Sequence, residues 1–233
     1  MSLPLSASDA LALIESERNS SKANEMRALH KVERTYLGVS NAVLDERARD
    51  WRRASPLAAR IALAQDLWAT NIHEARVLAA KLLTQARMKP DDAVWSLICT
   101  WVPECDGWAI ADHVCTAGQK RLVATPARLA EISAWAASEQ LWTQWAALAI
   151  TAPFTRARHP KPMELEAREE VLGWASVYLD QPEPILHKAV AAWLRDLSKR
   201  DPDRVRAFLE KHGKRMQGAA RREAMKSLPR TLS

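Results

Sequence analysis

The chain contains 233 residues with a net charge of +6, and 48% of its residues are hydrophobic. Alanine and leucine supply 41 and 27 residues and glycine only six, and this excess of helix formers over turn residues excludes a sheet-rich fold. The length allows one large domain or two small ones with a sizeable buried core. Composition therefore predicts an all-α protein.

Three features of the sequence concern its cellular compartment. The N-terminal segment MSLPLSASDA has neither a basic nor a continuous apolar region, so no signal peptide is predicted. The longest uncharged stretch, from Gln140 to Thr155, is too short to span a membrane. The three cysteines, Cys99, Cys105 and Cys115, match no disulfide or CxxC pattern. We therefore expect a cytoplasmic protein without disulfides.

The positive charge is concentrated at the end of the chain. From Lys188 to Ser233 there are thirteen Lys and Arg against five Asp and Glu, while the rest of the chain is nearly neutral. A basic block of this kind is typical of a partner that carries phosphates, because binding releases their counterions. A solvated helical face is the alternative interpretation.

Apolar spacing predicts a helical hairpin in the first half of the chain. One stripe consists of Leu57, Ile61, Ala64 and Trp68, at spacings of four, three and four residues. A second stripe of the same kind runs from residue 72 to residue 82. The intervening turn, residues 69–71, is predicted to supply a polar N-cap to the second helix.

Similar breaks recur along the rest of the chain. They lie at residues 90–92, 103, 125–126, 160–162, 182–184 and 201–203, and each contains a proline that marks a helix start or stop. The resulting unit of paired helices is about 35–45 residues long, as in HEAT or armadillo-type repeats. We therefore predict a right-handed superhelical solenoid with a concave basic groove, in a single HEAT-like repeat domain over residues 1–233.

Several familiar chemical motifs are incomplete or missing. His73-Glu74 begins like HExxH, but Val77 stands where the second histidine belongs. Cys105, His113 and Cys115 are not spaced to place three ligands on one helix face. No P-loop, G-x-S-x-G or G-x-G-x-x-G sequence occurs. We expect no metal and no cofactor, and we interpret Glu74 and Arg76 as a structural ion pair or as caps at a helix start.

Six blocks of sequence, in order along the chain, carry a resemblance to a known family. They are MRALHKVERTYLGV, LWATNIHEARVLAAKLL, WAIAD, LWTQWAALAI, HKAVAAWLRDLSKRDPDRV and RREAMKSL. Together they resemble the AlkD-like DNA glycosylases, the HEAT-repeat family that repairs alkylated purines. The resemblance implies a curved helical solenoid that holds duplex DNA in its concave groove.

The chemistry that the resemblance implies is hydrolysis of the N-glycosidic bond of a purine with a cationic N3 or N7 alkyl group. Such a base is a good leaving group, so a fixed negative charge near the sugar and a positioned water are the main requirements. Asp112 matches the family's catalytic carboxylate, and Trp108 matches an aromatic that packs against the deoxyribose. Because the two are four residues apart, one helix presents both on one face. Without the family context, a core Trp and a capping Asp would be the ordinary interpretation.

The remaining matched positions depart from the family in three places. Gln144 is kept, but Trp145 stands where the family has an arginine. Ala192 replaces a second tryptophan that contacts the sugar, and Leu29 replaces an aromatic near the N-terminus. Loss of the arginine removes a phosphate contact worth about 1.5–3 kcal/mol, which weakens binding or catalysis by roughly one to two orders of magnitude.

The basic residues near these positions are predicted to bind DNA. Lys188 and Arg195 share a helix face with Ala192, whereas Trp193 lies on a core stripe. With Gln144 and with Arg222 in the last block, they form the predicted DNA contacts. For Trp145 two orientations remain open, either an apolar patch in the groove or an inward position beside Leu141 and Leu148.

These features lead to three hypotheses of different classes. The first is a DNA alkylation repair glycosylase that uses Asp112 and Trp108. The second is a non-catalytic HEAT-repeat protein that binds duplex, branched or damaged DNA with its basic surface. The third is a scaffold for protein partners with an apolar concave surface. In each case we expect a monomer without a membrane partner.

Overall fold

Helices account for the regular structure of this protein. The computed structural model describes residues 6–229, and these form α-helices, short 3-10 turns and loops without any β-strand. No helix among them is both long and apolar enough to cross a membrane. The prediction of an all-α fold is confirmed. The chain divides after Ala124 into two compact units, named unit 1 and unit 2, and unit 2 begins at Thr125.

Unit 1 is built around a buried central helix. Its described helices are α1 (Ala7–Glu15), α2 (Ser20–His30), α3 (Asn41–Ala54), α4 (Leu57–Ala69), α5 (His73–Leu82), α6 (Asp92–Trp101) and α7 (Trp108–Ala124). The central helix is α5, which packs against α3, α4 and α7. It is buried on nearly every side, and even its charged residues Glu74 and Lys81 are buried.

Unit 2 also has a central helix. Its described helices are α8 (Leu129–Ala136), α9 (Leu141–Thr151), α10 (Pro162–Tyr178), α11 (Pro184–Ser198), α12 (Pro202–His212) and α13 (Gly218–Met225). Here α11 contacts α9, α10, α12 and α13. Its stripe of Leu186, Val190, Trp193 and Leu197 is buried, so the prediction that Trp193 belongs to the core is confirmed.

Prolines begin several helices of unit 2, as the sequence predicts. Pro162, Pro184 and Pro202 are the first residues of α10, α11 and α12. Proline is favoured at this position because its fixed φ suits a helix and the missing N–H would have no partner there. The side chain of Asp201 accepts the Arg204 N–H at the start of α12 and completes that cap.

The predicted hairpin is present, but two of its details are wrong. Helices α4 and α5 pack together as expected. The buried face of α4 is centred on Leu63 and Leu67, about one residue round the helix from the predicted stripe, and Leu57 is only half-buried. At the start of α5 the cap position is occupied by Ile72, which has no side-chain cap, and the Thr70 hydroxyl accepts the Ile72 N–H instead.

Candidate functional site

One open cavity in unit 1 contains both sequence-predicted catalytic residues. Trp108 and Asp112 lie one turn apart in α7 and line a cavity of about 480 Å³. Helix α7 begins at Trp108 directly after Gly107, whose carbonyl accepts the Ala111 N–H. The Trp108 side chain is 50% exposed, which is unusual for so large an apolar group. The prediction that this helix presents the ring and the carboxylate to one space is consistent with this geometry.

The Asp112 carboxylate is exposed at this cavity. Among residues 6–229 it accepts no hydrogen bond and forms no ion pair with Lys or Arg. An exposed carboxylate without a protein partner keeps its full capacity to stabilise a positive charge or to accept hydrogen bonds from water. The alternative interpretation of a capping or salt-bridged aspartate therefore does not describe this side chain.

The opposite wall of the cavity is formed by the end of α2. Met26, Leu29 and His30 contribute to it, and Leu29 is 65% exposed. This is the position where the resemblance implies an aromatic side chain. The wall is therefore apolar there, and the nearest aromatic group on α2 is the neighbouring imidazole of His30.

Stacked rings extend from the cavity into the core of unit 1. His30 contacts Trp108 with ring centroids 5.3 Å apart and a tilt of 56°. On its other side His30 stacks on His73 at 4.8 Å, and His73 also contacts Tyr36 at 5.0 Å. The exposed indole thus rests on a column of rings whose inner end is formed by the buried His73 and Tyr36, and Tyr36 also stacks on His30 at 5.9 Å.

Burial keeps the histidines around the cavity neutral at neutral pH. It lowers the pKa of His73 to about 3, with repulsion from His30 and Arg34 acting in the same direction. Burial likewise lowers the pKa of His30, helped by Arg34 and opposed by Glu74. The pKa of His113 is also lowered, first by burial and then by Lys81. Neutral imidazoles therefore add no positive charge to the cavity.

Two polar contacts fix the loop between α2 and α3, and so the end of α2. The buried Glu74 carboxylate accepts the N–H groups of Leu37 and Gly38 at 2.9 and 2.7 Å. Arg34, whose side chain is only 1% exposed, forms an ion pair with Asp106, two residues before Trp108. Because these contacts tie the loop to α5 and to the start of α7, they bring His30 and Trp108 together.

The interpretation of Glu74 and Arg76 needs correction. Glu74 is structural, but it binds the loop after α2 and forms no pair with Arg76. The Arg76 guanidinium lies over the Trp68 ring at 4.6 Å and pairs with Glu104 at 3.4 Å. Trp68 itself is buried, stacks on Trp101 at 4.5 Å, and donates its indole N–H to Glu104. The prediction of a core position for Trp68 is confirmed.

In unit 2 the matched residues of α9 are largely inaccessible. Gln144 is buried, and its backbone carbonyl accepts a hydrogen bond from the Tyr178 hydroxyl at 3.3 Å. Trp145 is half-buried and packs edge-on against Trp142, with ring centroids 5.8 Å apart. This pairing with Trp142 is compatible with both orientations left open by the sequence, and the choice between them stays a prediction.

The basic residues of unit 2 fall into two groups. Arg195 on α11 is paired with Glu223 of α13, and its Nε lies 3.8 Å from Asp196. Lys188 and Arg222 are exposed, and the described part of the chain offers neither of them a carboxylate partner. Ala192 is half-buried between Lys188 and Arg195 on α11. Their role in DNA binding stays a prediction.

The thiols of unit 1 do not support cysteine chemistry. Cys99, Cys105 and Cys115 form no disulfide, and the last two are buried. Burial raises the pKa of Cys105 to about 12 and that of Cys115 well above its ordinary value, so both remain protonated. No group of three His, Cys, Asp or Glu side chains within residues 6–229 is arranged to hold a metal ion.

Sequence reasoning missed His30, Arg34 and the structural use of Glu74. His30 lies within a matched block, but its contacts with His73 and Trp108 join segments about 40 and 80 residues apart, respectively. No local sequence pattern indicates such contacts. Gly38 offered a partial signal, since an isolated glycine between Leu37 and Val39 indicates a special backbone position. Its φ is +77°, in the left-handed region.

The fold is all-helical, and the candidate site presents an exposed Trp and an exposed Asp on one helix. Comparison with known proteins gives the family. The family model described as DNA alkylation repair enzyme matches residues 10–228. The chain therefore belongs to the DNA alkylation repair enzyme family, as the sequence resemblance indicates. A search of curated proteins found no match.

Solved structures share the fold at low sequence identity. A predicted DNA alkylation repair enzyme from Enterococcus faecalis is 17% identical, with a TM-score of 0.75 over 92% of this chain and 98% of that chain. AlkD2 from Streptococcus mutans is also 17% identical, with a TM-score of 0.65 over 97% and 100%. The protein smu.31 from Streptococcus mutans UA159 is 18% identical, with a TM-score of 0.60 over 81% and 92%.

Proposed function

We propose that this protein is a DNA glycosylase that releases cationic N3- and N7-alkylated purines from duplex DNA. Family membership supports a role in DNA alkylation repair. The observation that carries the finer proposal is the exposed Trp108 and unpaired Asp112 at one cavity of unit 1. We further propose that it acts in the cytoplasm as a monomer. The single HEAT-like domain over residues 1–233 and its basic groove stay predictions.

In the proposed reaction the bond between C1′ and the purine nitrogen breaks, and its electron pair neutralises the positive charge of the leaving base. The sugar becomes an oxocarbenium-like cation, which the negative charge of Asp112 stabilises. Trp108 packs against the deoxyribose and excludes water from one side. A water oriented by Asp112 attacks C1′ and gives up its proton to that carboxylate or to solvent. The products are the free neutral base and an abasic site.

The test is base release from a duplex that contains one 7-methylguanine. Wild-type protein is expected to release the base above the spontaneous background, and Asp112→Asn is expected to lower the single-turnover rate about 10²- to 10³-fold. Asp66→Asn is the matched control, because Asp66 is an exposed carboxylate of α4 away from the cavity. Absence of release by the wild-type protein would overturn the proposal.

A second candidate function is DNA binding without catalysis. It is favoured by Lys188 and Arg222, which are exposed in unit 2. In the same unit Trp145 and Ala192 stand where the resemblance implies an arginine and a tryptophan. Binding to duplex or branched DNA that weakens steeply with salt, without base release, would favour this function. No binding at low salt would exclude it.

A further inference from the structure

His30 is a cavity group that neither the resemblance nor the proposed function assigns. It is the last residue of α2 and is half-buried between Trp108 and His73. Lys31, which follows it, has a φ of +55°, so the chain turns away directly after the imidazole. The ring is therefore held by a helix end and by three ring neighbours, Trp108, His73 and Tyr36.

We propose that His30 is a positioning residue, which as a neutral imidazole supports the Trp108 ring beside Asp112 and which inactivates the site when it gains a proton. The inference rests on the proposed function for its catalytic consequence. The support of Trp108 rests on geometry alone. With His30 in contact with the indole, the ring has fewer rotamers to adopt, and an ordered ring is what a sugar-packing role requires.

The charges around His30 decide what its protonation does. The groups that face it or share its cavities come from α2, the following loop, α5, the loop before α7 and α7 itself, and they are Lys22, Glu25, Arg34, Tyr36, His73, Glu74, Asp106, Asp112 and His113. Glu74 is already engaged by two backbone N–H groups. A proton on His30 therefore adds a cation next to Arg34 and at the edge of the cavity that Asp112 makes negative.

That added cation opposes the proposed chemistry. A positively charged purine and an oxocarbenium-like sugar are both repelled by imidazolium, which offsets the field of Asp112. Because burial and Arg34 lower the pKa of His30 below 6.5, the neutral form prevails at neutral pH and the charged form grows as the pH falls below that value. One unit charge across a small cavity, at an effective dielectric constant of about 20, corresponds to about a tenfold or larger loss of rate.

The first experiment follows Trp108 without using activity. In DNA-free protein, the indole N–H cross-peak of Trp108, identified by its loss in Trp108→Phe, is expected to shift with the pH titration of the His30 imidazole. The shift should vanish in His30→Phe, which keeps a ring but binds no proton. His159→Phe is the control, since His159 is exposed in unit 2. If the Trp108 cross-peak does not shift with the titration of His30, the inference is overturned.

The second experiment measures single-turnover base release from the 7-methylguanine duplex between pH 5 and 8, corrected for spontaneous release at each pH. Wild-type activity should fall on the acidic side, and the fall should approach about tenfold as His30 becomes fully protonated. His30→Phe should keep neutral-pH activity within about threefold and remove that fall. His30→Ala should lower the rate about 10- to 100-fold at neutral pH, with little change in DNA Kd, because the indole loses its support.

The outcomes separate this inference from the proposed function. Suppose that the wild-type protein releases no base but the Trp108 cross-peak shifts with the titration of His30. The support of Trp108 by His30 is then upheld, and only the glycosylase proposal fails. If base release occurs and His30→Phe has the same acidic fall as wild type, the inference is wrong. A His30→Ala defect without a coupled Trp108 titration would mark a merely structural role and would also overturn it.

Discussion

Units 1 and 2 differ in how they use their polar side chains. In unit 1 the buried polar groups Glu74 and Arg34 order a loop, and they leave the Asp112 carboxylate unengaged at a cavity. In unit 2 two of the matched residues are engaged, since Gln144 is buried and Arg195 pairs with Glu223. Under the proposed function, unit 1 therefore supplies the groups for the chemistry, and these two residues of unit 2 are engaged in packing and in an ion pair.

The largest expected effect tests the loop that orders unit 1. Gly38→Ala is expected to cost about 4 kcal/mol, from a strained positive φ and from overpacking. A Cβ at Gly38 would lie 2.1 Å from the Asn19 carbonyl oxygen and 2.6 Å from the Ala23 nitrogen. Urea unfolding monitored by circular dichroism measures the change.

Unit 2 provides the control for this substitution. Gly173 lies within α10, and a Cβ there meets no atom within 4 Å. Gly173→Ala is therefore expected to stabilise the protein by about 1 kcal/mol through helix propensity. If Gly38→Ala were equally harmless, the packing of the loop against α2 could not be what positions His30.

The next effect concerns the pH dependence of unit 1. His73 has a pKa of about 3 in the folded protein and 6.5 as its ordinary value, so the unfolded chain binds more protons between these values. Stability is then complete above pH 6.5 and falls as the pH decreases, by about 2 kcal/mol at pH 5. Chemical unfolding at pH 7 and pH 5 measures the loss.

His73→Phe separates this contribution from that of other groups. Phenylalanine keeps a ring against His30 and Tyr36 but binds no proton, so the difference between pH 7 and pH 5 should shrink by about 2 kcal/mol. If the change in unfolding free energy between pH 7 and pH 5 were the same in His73→Phe and in the wild type, His73 would bind a proton without a loss of stability. The buried end of the ring column would then not be the apolar site described above.

The sequence predicted the helices well because their signals are local. The prolines at residues 162, 184 and 202 mark helix starts, and the apolar stripe through Trp193 marks a buried face. The buried face of α4 differs from the predicted stripe by about one residue, because the helices packed against α4, chiefly α5, determine which of its apolar residues are buried. Tertiary packing, not propensity, made that choice.

The candidate site was only partly predictable. Trp108 and Asp112 are one helical turn apart, so spacing and resemblance place them on one face. The pairing of Arg34 with Asp106 and the contact of Glu74 with Gly38 join residues far apart in sequence. For the same reason the ion pair of Arg195 with Glu223 could not be predicted, because that carboxylate lies on another helix.

A moderate effect is expected from restoring a cation to unit 2. Trp145→Arg would replace a half-buried ring with the residue type that the resemblance implies. If this position faces DNA, affinity should rise about tenfold, since a charge-assisted phosphate contact contributes about 1.5–3 kcal/mol. The slope of log K against log salt should steepen by about 0.9. Fluorescence anisotropy with a labelled duplex measures both.

The control for Trp145→Arg is a cation placed elsewhere in unit 2. Val177 is 59% exposed on α10, and Val177→Arg adds the same charge without replacing a matched residue. Equal gains in affinity from both substitutions would show a general effect of net charge. A gain confined to Trp145→Arg would show that unit 2 lost a specific contact there.

The smallest effect tests whether the ion pair of Arg195 competes with DNA. Glu223→Gln removes its partner, and since exposed pairs contribute at most about 1 kcal/mol, DNA affinity should rise only about threefold. Asp203→Asn, which loosens the exposed pair with Arg206, controls for net charge. The gain should disappear when Glu223→Gln is combined with Arg195→Gln, because the freed guanidinium is then absent. A gain that persists in the double variant would show that Arg195 makes no phosphate contact, and unit 2 would then bind DNA through Lys188 and Arg222 or not at all.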